Sequence, residues 1–251
     1  MRSSPLCRFA IVGNEQAGLR ARVAKLAPSA LIVKKSPDAV ISFGGDGTIL
    51  KSERLFPGVP KLCVRGCDSC SHCNRGKGQA GSGRWFCMRC FGSVLRRAVG
   101  GDYEIREEEK LEAAAAGKKK RYEKTALNEF QLHNADPTEA IRFSVFSNGK
   151  AFAENSIADG VVVCTSYGSS GYFHSITGKK FPKGAGVALN NPTVRIKPLV
   201  IRSGLGKLRV FCRLLRGRAL FIADNDPEML GMEAGDSFEV RLSKGAARFI
   251  V

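Results

Sequence analysis

The apolar run Ala39-Val40-Ile41-Ser42-Phe43 empties directly into Gly44-Gly45-Asp46-Gly47-Thr48, so a buried strand ends in a glycine turn that carries one carboxylate. Glycines lack a Cβ, which lets backbone N–H groups approach a polyphosphate closely and makes positive φ cheap. Asp46 is the single acid among those donors, suited to orient a hydroxyl nucleophile or to hold magnesium. Thr48, followed by Ile49-Leu50-Lys51, is expected to cap a helix whose N-terminus favours an anion. Taken alone, the string also fits a tight strand-to-helix turn with an exposed Asp.

The surrounding pattern alternates. Residues 8 to 12 read as a strand, Ala17 to Leu26 as a helix and Ala30 to Val33 as a strand, which predicts a partly parallel α/β sheet with ligands at strand C-termini. Val94 to Val99 reads as a short helix. Glu107 to Ala116 reads as another, ahead of the basic run Lys118 to Arg121, which is expected to be an exposed connector. From Lys124 onward strands dominate: Thr125 to His133, Ala140 to Ser147, Lys150 to Ile157, Gly160 to Thr165, Thr193 to Ile201, Lys207 to Leu215, Ala219 to Ala223 and Ser237 to Leu242. Asn148-Gly149 between two of them is a hairpin signal. The expected organisation is an α/β domain over 1–112, Rossmann-like, and a mainly antiparallel β domain over 113–251, with the active cleft between them.

Two further elements carry polar chemistry. Asp159-Gly160 and the apolar Val161 to Cys164 lead into Thr165-Ser166-Tyr167-Gly168-Ser169-Ser170-Gly171-Tyr172, a loop of hydroxyls and glycines suited to ribose hydroxyls and phosphate oxygens, with Tyr172 offering a ring face or a phenol. Such Ser/Gly runs are also common as solvated loops. In Ala126-Leu127-Asn128-Glu129-Phe130 an amide and a carboxylate interrupt a strand-like run.

These three elements, in this order, resemble the NAD kinase family, from about Phe9 to the C-terminus. Gly58-Val59-Pro60-Lys61-Leu62, Pro198-Leu199-Val200-Ile201 and Ala234-Gly235-Asp236 add to the likeness. The resemblance implies a kinase that moves the γ-phosphate of ATP, or polyphosphate, to the adenosine-side ribose 2′-hydroxyl of NAD, making NADP. Asp46 would assist the attack, and Gly44, Gly45, Gly47 and Thr48 would line the phosphates. Asn128, Glu129, Asp159, Ser170, Gly171, Tyr172 and Ser175 would contact NAD. The loop departs from the family pattern where Ser166 and Tyr167 replace Pro and Thr. The resemblance also implies a homo-oligomer, dimer or tetramer, while magnesium is expected to travel with ATP and be held largely by substrate oxygens and water. A lipid kinase sharing the GGDGT loop, and a non-catalytic nucleotide or nucleic-acid-binding zinc protein, are the other classes the residues allow.

The cysteines fall outside that likeness. Six of nine lie in the insert spanning 63–92: Cys63, Cys67, Cys70, Cys73, Cys87 and Cys90. The CxxC pairs Cys70/Cys73 and Cys87/Cys90 are spaced as in a zinc ribbon, four thiolates for one structural Zn2+. Cys67 and His72 are alternative ligands, and the same thiolates suit an iron–sulfur cluster. Cys7, Cys164 and Cys212, in apolar runs, are expected to be buried.

Forty Lys and Arg against 23 Asp and Glu give a net charge of +17, and residues 179–218 hold eleven bases and no acid. Lys179, Lys180 and Lys183 follow the hydroxyl loop, where they would draw anionic substrates. Nucleic-acid binding is the competing reading of the basic stretch. No run approaches the roughly 18 apolar residues of a membrane helix, and the start, Met1-Arg2-Ser3-Ser4-Pro5, has no apolar signal, so the cytoplasm is expected.

Overall fold

The computed structural model describes residues 4–14, 16–70, 73, 85–116, 121–202 and 208–251; His72 and Lys118–Lys120 lie outside them. The chain divides into two compact units, Met1–Glu108 with Ala247–Val251, and Glu109–Ala246. The first contains β1 (Arg8–Gly13), α1 (Gln16–Leu26), β2 (Leu31–Ile32), β3 (Ala39–Phe43), α2 (Asp46–Leu55), β4 (Lys61–Arg65), β5 (Phe86–Cys87) and α3 (Met88–Val99). Its strands run parallel in the order β2-β1-β3-β4-β5.

Both faces of this sheet are covered, which is why its strands read as continuous apolar runs. Phe9, Ile11, Ile41, Leu62 and Val64 pack with Leu19 and Val23 of α1 and Phe91 and Leu95 of α3. Ala10, Val12 and Val40 face the other way, towards Phe56 and Val59. Helix α2 is pinned to β4 by an ion pair of Lys61 and Glu53, whose side chains are 0% and 4% exposed. Lys61 Nζ also donates to the Phe56 carbonyl at 3.0 Å, and Glu53 Oε1 accepts from the Gly58 N–H at 3.1 Å.

β6 (Ile105–Ala116) leads out of the first unit. The second continues with β7 (Arg121–Ala126), β8 (Glu129–Asn134), β9 (Ile141–Ser147), β10 (Lys150–Ala158), β11 (Gly160–Thr165), a 3-10 turn (Gly168–Ser170), α4 (Tyr172–Thr177), β12 (Ala185–Asn190), β13 (Leu199–Ile201), β14 (Arg209–Arg216), β15 (Arg218–Ala223), β16 (Leu230–Glu233) and β17 (Ser237–Ile250). Its antiparallel strands form two layers, β10-β9-β14-β17 and β13-β12-β11-β8-β15-β16. Phe143, Val145, Val210 and Phe238 of one layer share a core with Phe130, Leu132, Val161, Val163 and Phe221 of the other. Val162 and Cys164 alternate to the opposite face, against Phe173 of α4 and Phe181. The uninterrupted Val161–Cys164 run therefore buries both faces of β11. The Asn148-Gly149 turn joins β9 to β10 with φ of 50° and 78°, the left-handed pair that a two-residue hairpin of this twist requires.

Several expectations are corrected. Glu107 to Ala116 is strand β6, paired with β7 from Leu111↔Ala126 to Ala116↔Arg121, and not a helix. Leu111, Ala113 and Ala115 are buried alternately with more exposed neighbours, and that two-residue period is hard to see where alanine occupies both faces. The run Thr125 to His133 breaks at Leu127-Asn128 into β7 and β8, and of Thr193 to Ile201 only β13 is strand. β12 and β16 were not foreseen, and β17 extends to Ile250. Cys164 and Cys212 are buried, but Cys7 is exposed.

Candidate functional site

At the C-terminal end of β3, Gly44 has φ 151°, and a Cβ there would lie 2.3 Å from Thr48 Oγ1. The turn closes only because that atom is missing. The Gly44 N–H donates to the Val64 carbonyl of the adjacent β4 at 2.9 Å. Helix α2 then begins at Asp46 with Gly45 as its N-cap, so Thr48 lies in the first turn, its N–H donating to the Gly45 carbonyl at 3.0 Å, and is not the cap expected of it. Gly45, Asp46 and Gly47 are exposed, and Gly44 and Thr48 half-buried. The outcome is an open strand-to-helix junction with a carboxylate at the positive end of the helix.

Sequence reading overlooked the partner of that carboxylate. Arg65 ends β4, and the Phe43↔Val64 register brings it beside the turn. Its Nη2 donates to Asp46 Oδ1 at 2.7 Å, and its guanidinium lies 4.6 Å from the centroid of the Trp85 ring. The residues are 19 apart in the chain and only the parallel β3–β4 pairing joins them. Also in this unit, Arg20, Lys34 and Lys51 line a cavity of about 240 Å³ beside Gly13, giving it three cationic side chains.

The second unit assembles Asn128, Glu129 and the hydroxyl loop. The Asp224 carboxylate accepts three backbone N–H bonds, from Leu127 at 2.8 Å, Asn128 at 2.7 Å and Glu129 at 3.0 Å. Thr165 Oγ1 donates to the Leu127 carbonyl at 2.6 Å and accepts from the Gly168 N–H at 3.0 Å. A Cβ on Gly168 would lie 2.4 Å from the Asn128 carbonyl oxygen, so glycine alone lets the turn rest on that backbone. One turn on, Gly171 faces the same pair, the place of its missing Cβ being 3.9 Å from Asn128 Nδ2 and 4.0 Å from Glu129 Oε2.

Glu129 is 6% exposed, and its Oε2 is buried without a hydrogen-bond partner. Burial, and then the charge of Asp224, push its carboxyl up from 4.5 to about 8. Burial likewise raises Asp224, against the three N–H donors that favour its charged form. A buried carboxyl with an unused oxygen is poised for a hydroxyl-bearing ligand. Ser170, Tyr172 and Ser175 are exposed on this loop, Ser175 Oγ lying 3.3 Å from the Gly171 carbonyl. Lys179, Lys180 and Lys183 are exposed just beyond it. His133 Nδ1 is 3.0 Å from the Asn134 carbonyl, a local contact.

Asp159 is not brought to this cluster. It precedes Gly160, which pairs with His133, whereas Glu129 pairs with Cys164, so Asp159 and Glu129 lie at opposite ends of β11. The Asp159 carboxylate accepts from Asn191 Nδ2 at 3.0 Å. Asp224 had no legible signal, being one turn acid among several, and Thr165 was read only as part of its loop.

The cysteines converge. The Sγ atoms of Cys70, Cys73, Cys87 and Cys90 all lie within 4.8 Å of one another. Separations of 3.8 Å (Cys70–Cys73), 3.7 Å (Cys70–Cys90) and 3.5 Å (Cys73–Cys87) are far beyond a disulfide bond of about 2.05 Å. They match the edge of a tetrahedron with metal–sulfur bonds of about 2.3 Å, roughly 3.8 Å. Burial and then the neighbouring sulfurs push the Cys90 thiol up, so four thiolates coexist here only around a cation. Cys67 Sγ instead contacts the Ser69 carbonyl at 3.3 Å. Cys63 is buried in β4, where burial pushes its thiol up to about 12. Four cysteines can thus hold a metal ion.

No protein-family model matches the chain. It is 30% identical over 197 residues to the bifunctional NADP phosphatase/NAD kinase of Methanocaldococcus jannaschii, covering 75% of this chain and 32% of that protein. It is 26% identical over 220 residues to the NAD kinase of Thermoplasma acidophilum, covering 86% and 74%. The chain spans about a third of the length of the first two curated relatives it matches. Yeast NADH kinase, solved with NADH, superposes with a TM-score of 0.80 over 99% of this chain and 84% of that one, at 17% identity. The Archaeoglobus fulgidus NAD kinase, solved with ATP, gives 0.73 over 96% and 92%, at 18% identity. Sequence likeness along most of the chain and the shared fold agree: this chain is similar in sequence to NAD kinases and has their fold.

Proposed function

We propose that the chain is an NAD kinase, transferring the γ-phosphate of ATP to the 2′-hydroxyl of the adenosine ribose of NAD. The observation that carries this reading is the exposed carboxylate of Asp46 at the mouth of the glycine turn on α2. Phosphoryl transfer asks mainly for positioning and charge neutralisation. In this reading the turn of Gly44, Gly45 and Gly47, with the Thr48 hydroxyl, lines the donor phosphates, helped by the helix dipole. Asp46 Oδ2 accepts the proton of the 2′-hydroxyl as its oxygen bonds to the γ-phosphorus and the bond to the β-phosphate oxygen breaks. ADP leaves, and the proton passes to water.

Asn128 and Glu129 hold the ribose side of NAD, the buried Glu129 carboxyl meeting a sugar hydroxyl with its unpartnered oxygen. Ser170, Gly171, Tyr172 and Ser175 border the dinucleotide, and Asp159 is assigned to its nicotinamide end. Mg2+ arrives with ATP and neutralises its phosphates. The four cysteines hold a structural Zn2+, which their thiolate set and spacing favour. The relatives solved with NADH and with ATP support nucleotide substrates. No described helix is long and apolar enough to cross a membrane; cytoplasmic residence and assembly as a dimer or tetramer complete the reading.

The test is incubation with NAD, Mg2+ and either ATP or polyphosphate, followed by an NADP-specific dehydrogenase. NADP formation is expected; its absence with both donors, from folded and zinc-loaded protein, overturns the reading.

A further inference from the structure

We propose that the four-cysteine site governs catalysis by holding Arg65, through Trp85, in register with Asp46. This inference rests on the NAD kinase reading for its activity measurements.

Cys87 has two positions in the fold at once. Its sulfur belongs to the four-cysteine cluster, and its backbone pairs with Arg65 in the two-residue ladder Val64↔Phe86, Arg65↔Cys87. Trp85, the residue before that ladder, lays its ring against the Arg65 guanidinium at 4.6 Å. The Nη2 edge of the same guanidinium is committed to Asp46 Oδ1 at 2.7 Å. From sulfur cluster to carboxylate the path thus runs Cys87, Trp85, Arg65, Asp46, the first step along the chain through Phe86 and the other two through side-chain contacts inside one compact unit.

A strand of two residues contributes little holding force by itself. What fixes Trp85-Phe86-Cys87 is its surroundings. The Met88 N–H donates to the Cys67 carbonyl at 3.1 Å, tying the start of α3 to the segment that leaves β4. Cys70 and Cys73 come from that same segment, and Cys87 and Cys90 from β5 and α3, so one ion would join the two chain segments that flank Trp85. Arg65 needs that support. Its side chain is 32% exposed, and its Nε is buried with no hydrogen-bond partner among the described residues. The guanidinium is therefore oriented by the ring and by one carboxylate oxygen, a pair of contacts that the compact charge of lysine reproduces only in part.

Arg65 is in this account a positioning residue. It holds Asp46 Oδ1 and leaves Oδ2 to face the attacking hydroxyl. Loss of the ion frees Trp85, Arg65 loses its platform, and the carboxylate drifts from the geometry on which the rate depends. Displacements of about 1 Å at such a group can cost about a hundredfold in rate.

Trp85 is the only tryptophan in the chain, so its emission reports this contact without any turnover. The experiment compares the full-length wild type, Arg65→Ala, Arg65→Lys and Trp85→Ala, each loaded with Zn2+ and each treated with a chelator. Zinc content, NADP formation and, where Trp85 is present, emission are measured. Wild type is expected to hold one Zn2+; on its removal kcat falls about tenfold or more, KM for NAD stays within about twofold, and emission changes. Arg65→Ala keeps its zinc, shows the same loss in kcat, and loses no more on chelation; Arg65→Lys recovers only part. A chain that binds no zinc overturns the proposal, as does a wild type whose kcat survives zinc removal, or an Arg65→Ala variant that loses the same factor again on chelation. If the zinc-free chain unfolds, Trp85→Ala decides: retained zinc with kcat down about tenfold supports the coupling, and full kcat overturns it. If zinc-loaded wild type makes no NADP at all, the kinase reading is what fails. The coupling is then read from emission, supported by a zinc-dependent change that Arg65→Ala abolishes and overturned if zinc leaves emission unchanged.

Discussion

Glu129 shows how far a side chain can depart from its ordinary chemistry once the fold surrounds it. Its carboxyl is buried beside Asp224, titrates near 8 rather than 4.5, and so binds its proton more tightly in the folded chain than in the unfolded one. Stability from this group is complete below pH 4.5 and is lost as pH rises to 8, by up to about 5 kcal/mol. The thermal midpoint of the ligand-free chain is therefore predicted to fall between pH 5 and pH 8. Glu129→Gln should flatten that fall, and an unchanged slope in differential scanning calorimetry would contradict the assignment. Gly168 makes a second prediction at this scale. Ala there places a methyl against the Asn128 carbonyl, so Gly168→Ala should cost about 1–3 kcal/mol and raise KM for NAD more than it lowers kcat. Both residues illustrate what sequence could and could not show. Asn128 and Glu129 were legible as polar interruptions of a strand-like run and Gly171 as part of a glycine-hydroxyl loop, because short motifs keep their spacing when folded. Asp224 was not, since its three N–H bonds reach back 95 to 97 residues and depend on β15 lying beside β8. Arg65 was hidden for the same reason.

Elements explain why the glycine turn presents Asp46 steadily. Helix α2 starts at that residue and is fixed near its far end by the buried Lys61–Glu53 pair. Breaking the pair leaves a charge buried without its counterion, so Lys61→Met is predicted to cost about 3–5 kcal/mol in urea unfolding. The double replacement Lys61→Met/Glu53→Leu should recover most of that loss; a double variant as unstable as the single would contradict the ion-pair account. The strand-turn-helix of residues 39–55 and the Asn148-Gly149 hairpin were readable, because local rules of period and turn chemistry decide them. Residues 107–116 were not. Glutamate and alanine favour helix in isolation, yet pairing with β7 and burial of Leu111, Ala113 and Ala115 outweigh that preference. β12, glycine-containing and with five of six residues buried, offered no alternation to find.

At the scale of the molecule, the chain builds two compact units, and its last five residues count with the first. That return could not be read from the sequence, where the final strand seemed to stop near Leu242, although alternating β and α before residue 100 and strands after residue 124 were plain. The cysteine insert is the feature that sets this chain apart within its family resemblance, and its four thiols are predicted to make bound Zn2+ a contributor to the stability of the first unit. Chelation should lower the unfolding midpoint of the wild type, with re-addition of Zn2+ restoring it; an unchanged midpoint would count against a structural ion. The central claim, however, is that Asp46 serves phosphoryl transfer to NAD. The most direct test is the NADP-forming rate of Asp46→Asn beside wild type, with NAD and ATP binding followed by calorimetry. The account predicts that kcat falls at least about a hundredfold while both nucleotides still bind; a variant that keeps the wild-type rate would contradict it.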